Sequence, residues 1–289
     1  MSASREDAIA RTSSRDVTDW WSTGVCDIES GTIRLRGYPI EELIGGATFP
    51  EMIWLMVRGD FPEPRQAELL ERALVAAVDH GPQAPSIAAA RMAATCGVGL
   101  HGAMSTGVGL LGDVHGGAGQ QCMELLEQIR IRSADGDLET VVARTVGEYR
   151  ASGRYVPGFG HRFHSRDPRR DPLLSAVHEQ VEAGTIEGYH LRIAEELERQ
   201  LATGRDKPIS MNIDGATAVI YAELGFDPEL GRGLFILSRS VGILAHSWEE
   251  RRGGRRIKGP IPPPLLPTYT GSPRRPVPQR SGATSSITR

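Results

Sequence analysis

The chain has 289 residues, 39% of them hydrophobic and 24% charged, which suits a soluble globular protein of one large or two modest domains. Its net charge of −3 hides an asymmetry, because nine Lys and Arg and no acidic residue follow Glu250, which leaves −12 on residues 1–250. Only Tyr269 interleaves with the arginines of this basic tail, so the pattern does not predict nucleic-acid binding.

The cysteines and the apolar segments indicate the compartment. Three widely spaced cysteines, Cys26, Cys96 and Cys122, argue against a disulfide framework and for a reducing cytoplasm. Residues 92–112 carry no Asp, Glu, Lys or Arg, but six glycines leave too few large apolar groups for a membrane span. We therefore expect a cytoplasmic protein without a membrane segment, in which residues 92–112 form closely packed helices.

The first half of the chain predicts a short hairpin followed by helices. We expect residues 1–25 to be a loose leader, and the period-two alternation of residues 32–38 predicts a strand or hairpin. Apolar residues at helical spacing then predict helices. These cover residues 39–43, 49–57, a segment opened by Pro62 and Pro64 and ended at 79–82, the small-residue region 86–112, and residues 121–129 and 138–150.

The second half predicts helices over residues 173–181 and 189–201 and a long last helix over 228–252. Six large apolar residues share one face of that helix: Leu230, Leu234, Leu237, Val241, Leu244 and Trp248. On the opposite side, Arg232, Arg239 and His246 repeat every seven residues.

Arg239 stands out because its own neighbours on the last helix, Phe235, Ile236 and Ile243, are apolar. A guanidinium in such surroundings must pair with an internal carboxylate or face an anionic ligand. The sequence leaves both possibilities open.

The loop at residues 156–169 has the features of an anion-binding turn. Gly158 and Gly160 flank an aromatic residue and allow turns or a close approach to a ligand. Two imidazoles follow, His161 and His164, together with the cations Arg162, Arg166, Arg169 and Arg170. The loop alone is equally typical of a basic surface loop with incidental histidines.

Four segments share one design, a titratable residue beside glycine where a helix must begin or end: 79–81, 115–117, 160–161 and 212–215. Glycine leaves room for a substrate and exposes helix-terminal N–H groups to anions. A single such residue is usually a helix cap or dipole partner. Four of them, together with cationic loops, predict a binding site.

Other chemistries fit the sequence poorly. Cys96, His101, His115 and Cys122 lack the paired spacing of a metal site, so we predict no metal. The glycine-flanked serine of hydrolases and the dinucleotide fingerprint are both missing. Histidines, one aspartate and several arginines suit carbon–carbon bond chemistry beside a thioester carbonyl, with arginines clamping a polycarboxylate.

The motifs resemble those of the citrate synthase superfamily. They are Pro157-Gly-Phe-Gly-His161 followed by Asp167-Pro-Arg169, His115-Gly-Gly, Asn212-Ile-Asp214, and Ser238-Arg239-Ser-Val-Gly242. The segment 36–43 is similar to that family's N-terminal entry. The resemblance covers roughly residues 28–258, in order.

The resemblance implies a role for each motif residue. Asp214 would be the acid/base at the acetyl carbon, His115 the hydrogen-bond donor to the enolate, and His161 the partner of the oxaloacetate carbonyl or citryl hydroxyl. The implied carboxylate-binding residues are His80, Arg169 and Arg239, with Arg256 reaching the site of a partner subunit. The residues expected to contact coenzyme A are Pro157, Gly158, Phe159, Gly160, Arg162 and Arg166.

Three details resemble the citryl-CoA lyase branch, which includes the lyase module of ATP-citrate lyase. Gly81 follows His80 where synthases usually carry Glu, Gly215 follows Asp214 where they carry an aromatic residue, and the loop from His161 to Arg169 is one residue shorter. We therefore expect cleavage of citryl-CoA. Citrate or 2-methylcitrate synthase activity is the close alternative, and a non-catalytic acyl-CoA or citrate sensor is the second.

The resemblance also implies the architecture: an all-α, citrate synthase-like homodimer with the active site between a large and a small helical domain. The large domain would comprise residues 1–119 and 226–260, the small domain 120–225, and a disordered tail 261–289. Coenzyme A would act as substrate or product, with no tightly bound cofactor. The partners would be citryl-CoA or acetyl-CoA and oxaloacetate, without nucleic acid or membrane.

Overall fold

The computed structural model describes residues 19–134, 136–162, 164–262 and 264–278. Eleven helices and one small sheet occur in these ranges, which confirms the predicted all-α class. The helices are α1 Ile40–Gly46, α2 Phe49–Arg58, α3 Pro64–Ala77, α4 Pro85–Ala94, α5 Gly99–Val108, α6 Ala118–Arg132, α7 Leu138–Ala151, α8 Arg170–Glu182, α9 Tyr189–Ala202, α10 Ile213–Glu223 and α11 Pro228–Arg252.

The sheet is a three-stranded antiparallel meander of β1 Cys26–Glu29, β2 Thr32–Leu35 and β3 Tyr38–Pro39. Cys26 pairs with Leu35, which pairs in turn with Tyr38. The hairpin predicted from the alternation is confirmed. The first 18 residues of the expected leader lie outside the described part of the chain.

The local sequence explains where the predicted helices begin and end. Helix α2 starts at a capping box, in which Thr48 and Glu51 satisfy each other's backbone N–H, and stops at Gly59, whose φ of 100° favours glycine. Helix α11 begins with Pro228 and runs to Arg252, as the apolar spacing predicts.

The spacing of apolar residues in the sequence does not predict helix α10. Its residues Ile213 and Gly215 through Tyr221 are all buried, so no polar face interrupts the apolar ones. A helix buried on every side lacks the periodic contrast on which the prediction relies.

The uncharged segment 92–112 forms parts of two short helices, α4 and α5, rather than one long one. They pack closely against α11 at Gly107, where an added Cβ would lie 2.9 Å from Ile243 Cγ2 and 3.0 Å from the Ser86 carbonyl oxygen. Among the described residues, no helix has both the length and the apolar character needed to cross a membrane.

Two apolar clusters stabilise the fold. The main one lies between helix α3 and the five helices α6 to α10, and a smaller one lies between α4, α5 and α11. Because the main cluster contains Leu69 and Leu70 of α3 as well as residues of 120–225, it crosses the predicted domain boundary. The division into domains stays a prediction. In the expected tail, residues 264–278 contain no helix or strand, while residue 263 and residues 279–289 lie outside the described ranges.

A buried carboxylate fixes the segment that follows α11. The Glu250 side chain is fully buried, with Arg91 Nη2 2.7 Å and Lys258 Nζ 2.9 Å from Oε2 and Arg255 Nη1 3.2 Å from Oε1. The backbone N–H of Lys258 donates to Thr95 Oγ1 at 2.9 Å. Burial alone would raise the Glu250 pKa, but the bonds from Lys258, Arg91 and Arg255 outweigh it and lower the pKa to about 2.

Glu250→Gln should lower the free energy of unfolding by about 3 kcal/mol at pH 7, because it leaves three cations without their counter-charge. The folded pKa of about 2 lies below the ordinary value of 4.5, so the stabilisation is complete above pH 4.5 and is lost as the pH falls towards 2. Urea unfolding at several pH values measures this window.

Glu249→Gln is the matched control, since its side chain is 72% exposed on the same helix. It should change stability by less than about 0.5 kcal/mol. An equal loss in both variants, or a loss that does not depend on pH, would contradict the role given to Glu250.

Candidate active site

Four chain segments converge on the middle of α11, around Arg239. They are the turn after α3 that carries His80, the turn before α6 that carries His115, the 157–169 loop that carries His161, and the N-terminus of α10 that carries Asp214. The charge of Arg239 acts on His80, His115 and Asp214. His161 lies next to His80, with the two ring centres 5.8 Å apart. The structure thus brings the predicted catalytic residues into one region.

Arg239 is a buried cation that forms no ion pair with any described residue. Arg239 is only 3% exposed. Its Nε donates to the Ala77 carbonyl at 3.0 Å, and its guanidinium lies 4.8 Å from the centre of the Phe235 ring. Within the described ranges, no carboxylate oxygen lies within 4.0 Å of its guanidinium, so the internal pair left open by the sequence does not form there. Burial lowers the pKa of Arg239, and the charges of Asp214 and Asp79 oppose that effect.

Asp214 lies in the first turn of α10, held by Asn212. The Asn212 Oδ1 accepts from the backbone N–H of Asp214 at 2.9 Å and of Gly215 at 3.2 Å, which caps the helix. Burial raises the pKa of Asp214, and the charges of Arg239 and Arg169 work against it. Of the residues that the structure describes, none donates a hydrogen bond to this carboxylate.

Two glycines allow the His161 loop to lie directly on α10. Gly158 has φ +82°, and an added Cβ there would lie 2.7 Å from Cys122 Sγ; at Gly215 it would lie 2.3 Å from the Gly158 carbonyl oxygen. This contact lets the Asn212 N–H donate to that oxygen at 3.0 Å and the Asn212 side chain donate to the Gly160 oxygen at 2.7 Å. The loop and the Asp214 helix therefore hold each other.

Cys122 lies under this crossing, and its side chain is fully buried. Burial, and then the nearby charge of Asp214, raises the pKa of its thiol to about 12. The thiol stays protonated at neutral pH.

Three imidazoles line a cavity of about 310 Å³ with Arg169. The ring centres of His80 and His161 lie 5.8 Å apart, and those of His161 and His164 lie 4.6 Å apart. The backbone N–H of His164 donates to His161 Nδ1 at 3.1 Å, so the proton of a neutral His161 is on Nε2. His161 can therefore donate one hydrogen bond through Nε2.

His115 is oriented from the N-terminus of α4. The Ser86 backbone N–H donates to His115 Nε2 at 3.2 Å, and Ser86 Oγ lies 3.0 Å from the same nitrogen. With Nε2 acting as an acceptor, a neutral His115 carries its proton on Nδ1 and presents it as a donor.

Asp167 holds Arg169 at the edge of the cavity. Arg169 Nε and Nη2 each lie 2.9 Å from a different oxygen of Asp167, and the Ile213 N–H donates to the same carboxylate at 3.1 Å. Burial would raise the pKa of Asp167, but the Arg169 contacts and the backbone donors outweigh it and lower it to about 2. Arg169 is thus a rigid, partly exposed cation beside His80 and His161.

Some predicted residues lie apart from this cluster. Arg162 is exposed, and the exposed Arg166 pairs with Asp171 at 2.6 Å. Arg256 lies on the exposed segment after α11, and within one chain the described contacts do not join it to the cavity. Among the described residues there is no group of three or more His, Cys, Asp or Glu arranged to hold a metal ion.

Sequence reasoning gave no role to two cavity residues, His164 and Asp79. Each had a signal in the sequence, since His164 follows His161 by three residues and Asp79 precedes His80 directly. That their side chains line the same cavity depends on how the two loops fold towards each other, which no local pattern encodes.

Comparisons with known proteins point to one family. The family model described as citrate synthase, C-terminal domain, matches residues 16–71 and 56–260. The citrate synthase of Acidithiobacillus ferridurans is 32% identical over 240 residues, which cover 78% of this chain and 57% of that protein. The chain spans about half the length of the curated relatives it matches.

Solved structures give the same architecture. The citryl-CoA lyase of Hydrogenobacter thermophilus superposes with a TM-score of 0.78 at 32% identity, over 89% of this chain and 97% of that one. The ATP citrate lyase of Methanothrix soehngenii, in complex with citrate and coenzyme A, has a TM-score of 0.74 at 20% identity, over 94% of this chain and 45% of that one. The second match shows the fold alone.

Arg239→Gln should raise the pKa of His80 and of His115. Burial is the main cause that lowers both from 6.5, and the charge of Arg239 adds to it. The pKa of His161 is lowered by burial and by the charges of His164 and Arg169, and it is raised by the charge of Asp167. Because Arg239 is not among these causes, the pKa of His161 should hardly move. NMR titration of the imidazole C2 protons measures all three; an equal rise at the three histidines, or none, would contradict this electrostatic account.

Proposed function

The chain belongs to the citrate synthase family, and on that premise we propose that it cleaves citryl-CoA to acetyl-CoA and oxaloacetate. One observation carries the proposal: the buried cation Arg239 and the carboxylate of Asp214 lie close enough to shift each other's pKa, and among the described residues Arg239 forms no ion pair and nothing donates a hydrogen bond to that carboxylate. The cation calls for an anionic substrate. The carboxylate, with its raised pKa, suits proton exchange at carbon.

Two features favour the lyase reaction over the synthase reaction. The likeness to a solved structure supports it, because this chain superposes on a citryl-CoA lyase with a TM-score of 0.78 at 32% identity. The close contact of Gly158 with Gly215 supports it too. Synthases resemble this chain but usually carry an aromatic residue at the position of Gly215, and here such a side chain would clash with the Gly158 carbonyl.

In the proposed reaction, the bond between the acetyl carbon and the hydroxyl-bearing carbon of citryl-CoA breaks. Protonated Asp214 delivers its proton to the acetyl carbon, and the hydroxyl proton passes to solvent water, from which Asp214 regains a proton for the next turnover. His115 donates from Nδ1 to the thioester oxygen as negative charge develops on it. His161 donates from Nε2 to the other oxygen, which is a hydroxyl in citryl-CoA and a carbonyl in oxaloacetate.

His80, Arg169 and Arg239 would bind the carboxylates of the oxaloacetate portion. Arg169 is suited to this because Asp167 fixes its guanidinium at the cavity edge. Residues 157–160, together with Arg162 and Arg166, would contact coenzyme A. Coenzyme A enters as part of the substrate and leaves as acetyl-CoA, so the proposal needs no resident cofactor.

Two alternatives have their own support. Curated relatives are named citrate synthase, which favours condensation to citrate or 2-methylcitrate. A non-catalytic sensor of acyl-CoA or citrate would keep the cation site without turnover. The Asp214 carboxylate, to which no described residue donates a hydrogen bond, disfavours the sensor, because a protein that only binds its ligand needs no acid/base group.

We also propose a homodimer built on α11. Leu237, Val241, Leu244 and Trp248 of its apolar face are 40–57% exposed, although Leu234 of the same face is buried. A second copy of the chain would cover this stripe, and the neighbouring segment held by Glu250 would carry Arg256 towards the partner's cavity. A contiguous exposed apolar surface of this kind is typical of an interface.

The reaction is tested by incubating citryl-CoA with the enzyme and measuring the products. The proposal predicts acetyl-CoA and oxaloacetate in equal amounts, and Asp214→Asn should lower kcat at least about 10³-fold with folding retained. The exposed Asp206→Asn is the control and should behave as wild type. Citrate and free coenzyme A as the main products would overturn the lyase assignment, and tight binding without turnover would favour the sensor.

Light scattering tests the dimer. We expect twice the chain mass of 31.3 kDa for the wild type and 31.3 kDa for Val241→Glu, because a charge in the stripe cannot be buried without a partner. Ile131→Glu makes the same change at an exposed site on α6 and should leave the dimer intact. A monomeric wild type, or an equal effect of both variants, would refute the interface.

A further inference from the structure

The polar side of α11 carries Arg232, Arg239 and His246 at seven-residue spacing, which is two helical turns. Only Arg239 has a place in the proposed substrate site. Arg232 contacts the turn that carries His115, and His246 contacts the turn that carries His80.

Arg232 reaches the turn that precedes His115. Its Nη2 lies 2.7 Å from Asp113 Oδ1, and the Gln121 side chain donates to the Asp113 carbonyl at 3.0 Å. The turn is tight here, because an added Cβ at Gly117 would lie 2.5 Å from that carbonyl oxygen. Asp113 is therefore the point at which α11 and α6 both hold the turn.

His246 reaches the turn that contains His80. Its Nε2 lies 3.2 Å from Asp79 Oδ1, while Asp79 Oδ2 accepts from the Gly81 N–H at 3.0 Å. These two contacts lie on either side of His80 in the chain. Helix α11 also lies close to this turn at Gly242, whose N–H donates to the Val78 carbonyl at 3.0 Å.

We infer that Arg232 and His246 are positioning residues, Arg232 acting through Asp113 on His115 and His246 acting through Asp79 on His80. The inference rests on the proposed function, in which the two histidines have different tasks. His115 stabilises charge that develops only in the transition state, whereas His80 binds a carboxylate of the substrate.

The two residues should therefore have opposite kinetic signatures. An interaction made only in the transition state lowers kcat when it is lost, and one made equally with the bound substrate raises KM. The Asp113 side chain is 80% exposed, so its bridge to Arg232 adds little to folding stability. A purely structural role would change both parameters together or neither.

Steady-state kinetics on citryl-CoA test the split. Arg232→Gln should lower kcat about tenfold or more with KM within twofold, and His246→Gln should raise KM about tenfold with kcat within twofold. Arg232→Lys should recover part of the loss. Arg252→Gln, an exposed arginine on the same helix, is the control and should leave both parameters unchanged.

Partner variants establish the route. Asp113→Asn should reproduce Arg232→Gln, Asp79→Asn should reproduce His246→Gln, and each double variant should be no worse than its worse single. Additive losses within a pair, the same kinetic change in both pairs, or wild-type kinetics would overturn the inference.

An NMR measurement separates this inference from the proposed function. Arg232→Gln should shift the His115 C2 proton and leave that of His80, and His246→Gln should do the reverse, whether or not citryl-CoA is turned over. Failure of turnover in the wild type counts against the proposed function alone. Unmoved histidine resonances in both variants count against the positioning roles alone.

Discussion

The site depends on a cation, Arg239, that is buried without an ion pair to any described residue. A guanidinium removed from water is costly unless a counter-charge meets it, and among the described residues Arg239 has only a backbone oxygen and an aromatic face at close range. Its charge reaches Asp214, His80 and His115. An anionic ligand would supply the missing counter-charge, and this is the physical basis for proposing a polycarboxylate substrate.

The site also contains two imidazoles, those of His115 and His161, whose orientation is fixed by backbone hydrogen bonds. The backbone N–H groups of Ser86 and His164 donate to one nitrogen of His115 and of His161, which places the proton of each neutral ring on its other nitrogen. Gly158 and Gly215 let the loop of His161 lie on the helix of Asp214 without an intervening side chain. Such fixed donors need little reorganisation when charge develops, which is how enzymes stabilise an enolate.

Much of this arrangement could be predicted from the sequence, because its motifs are local. The hairpin at 32–38, the last helix and the glycine-flanked residues His115, His161 and Asp214 all follow from spacing and residue type. Helix α10 could not be predicted from periodicity, since it is buried on every side. The contacts of Arg232 with Asp113 and of His246 with Asp79 join residues more than one hundred positions apart, and no local pattern encodes such pairs.

The role proposed for Arg239 has a cost, because a buried cation kept for an anionic ligand destabilises the protein when no ligand is bound. Replacing Arg239 by methionine and measuring both urea stability and calorimetric citrate binding tests that role most directly. We expect Arg239→Met to be at least as stable as the wild type without ligand, because the substitution removes a buried charge, and we expect it to bind no citrate. A destabilised variant that still binds citrate would contradict that role.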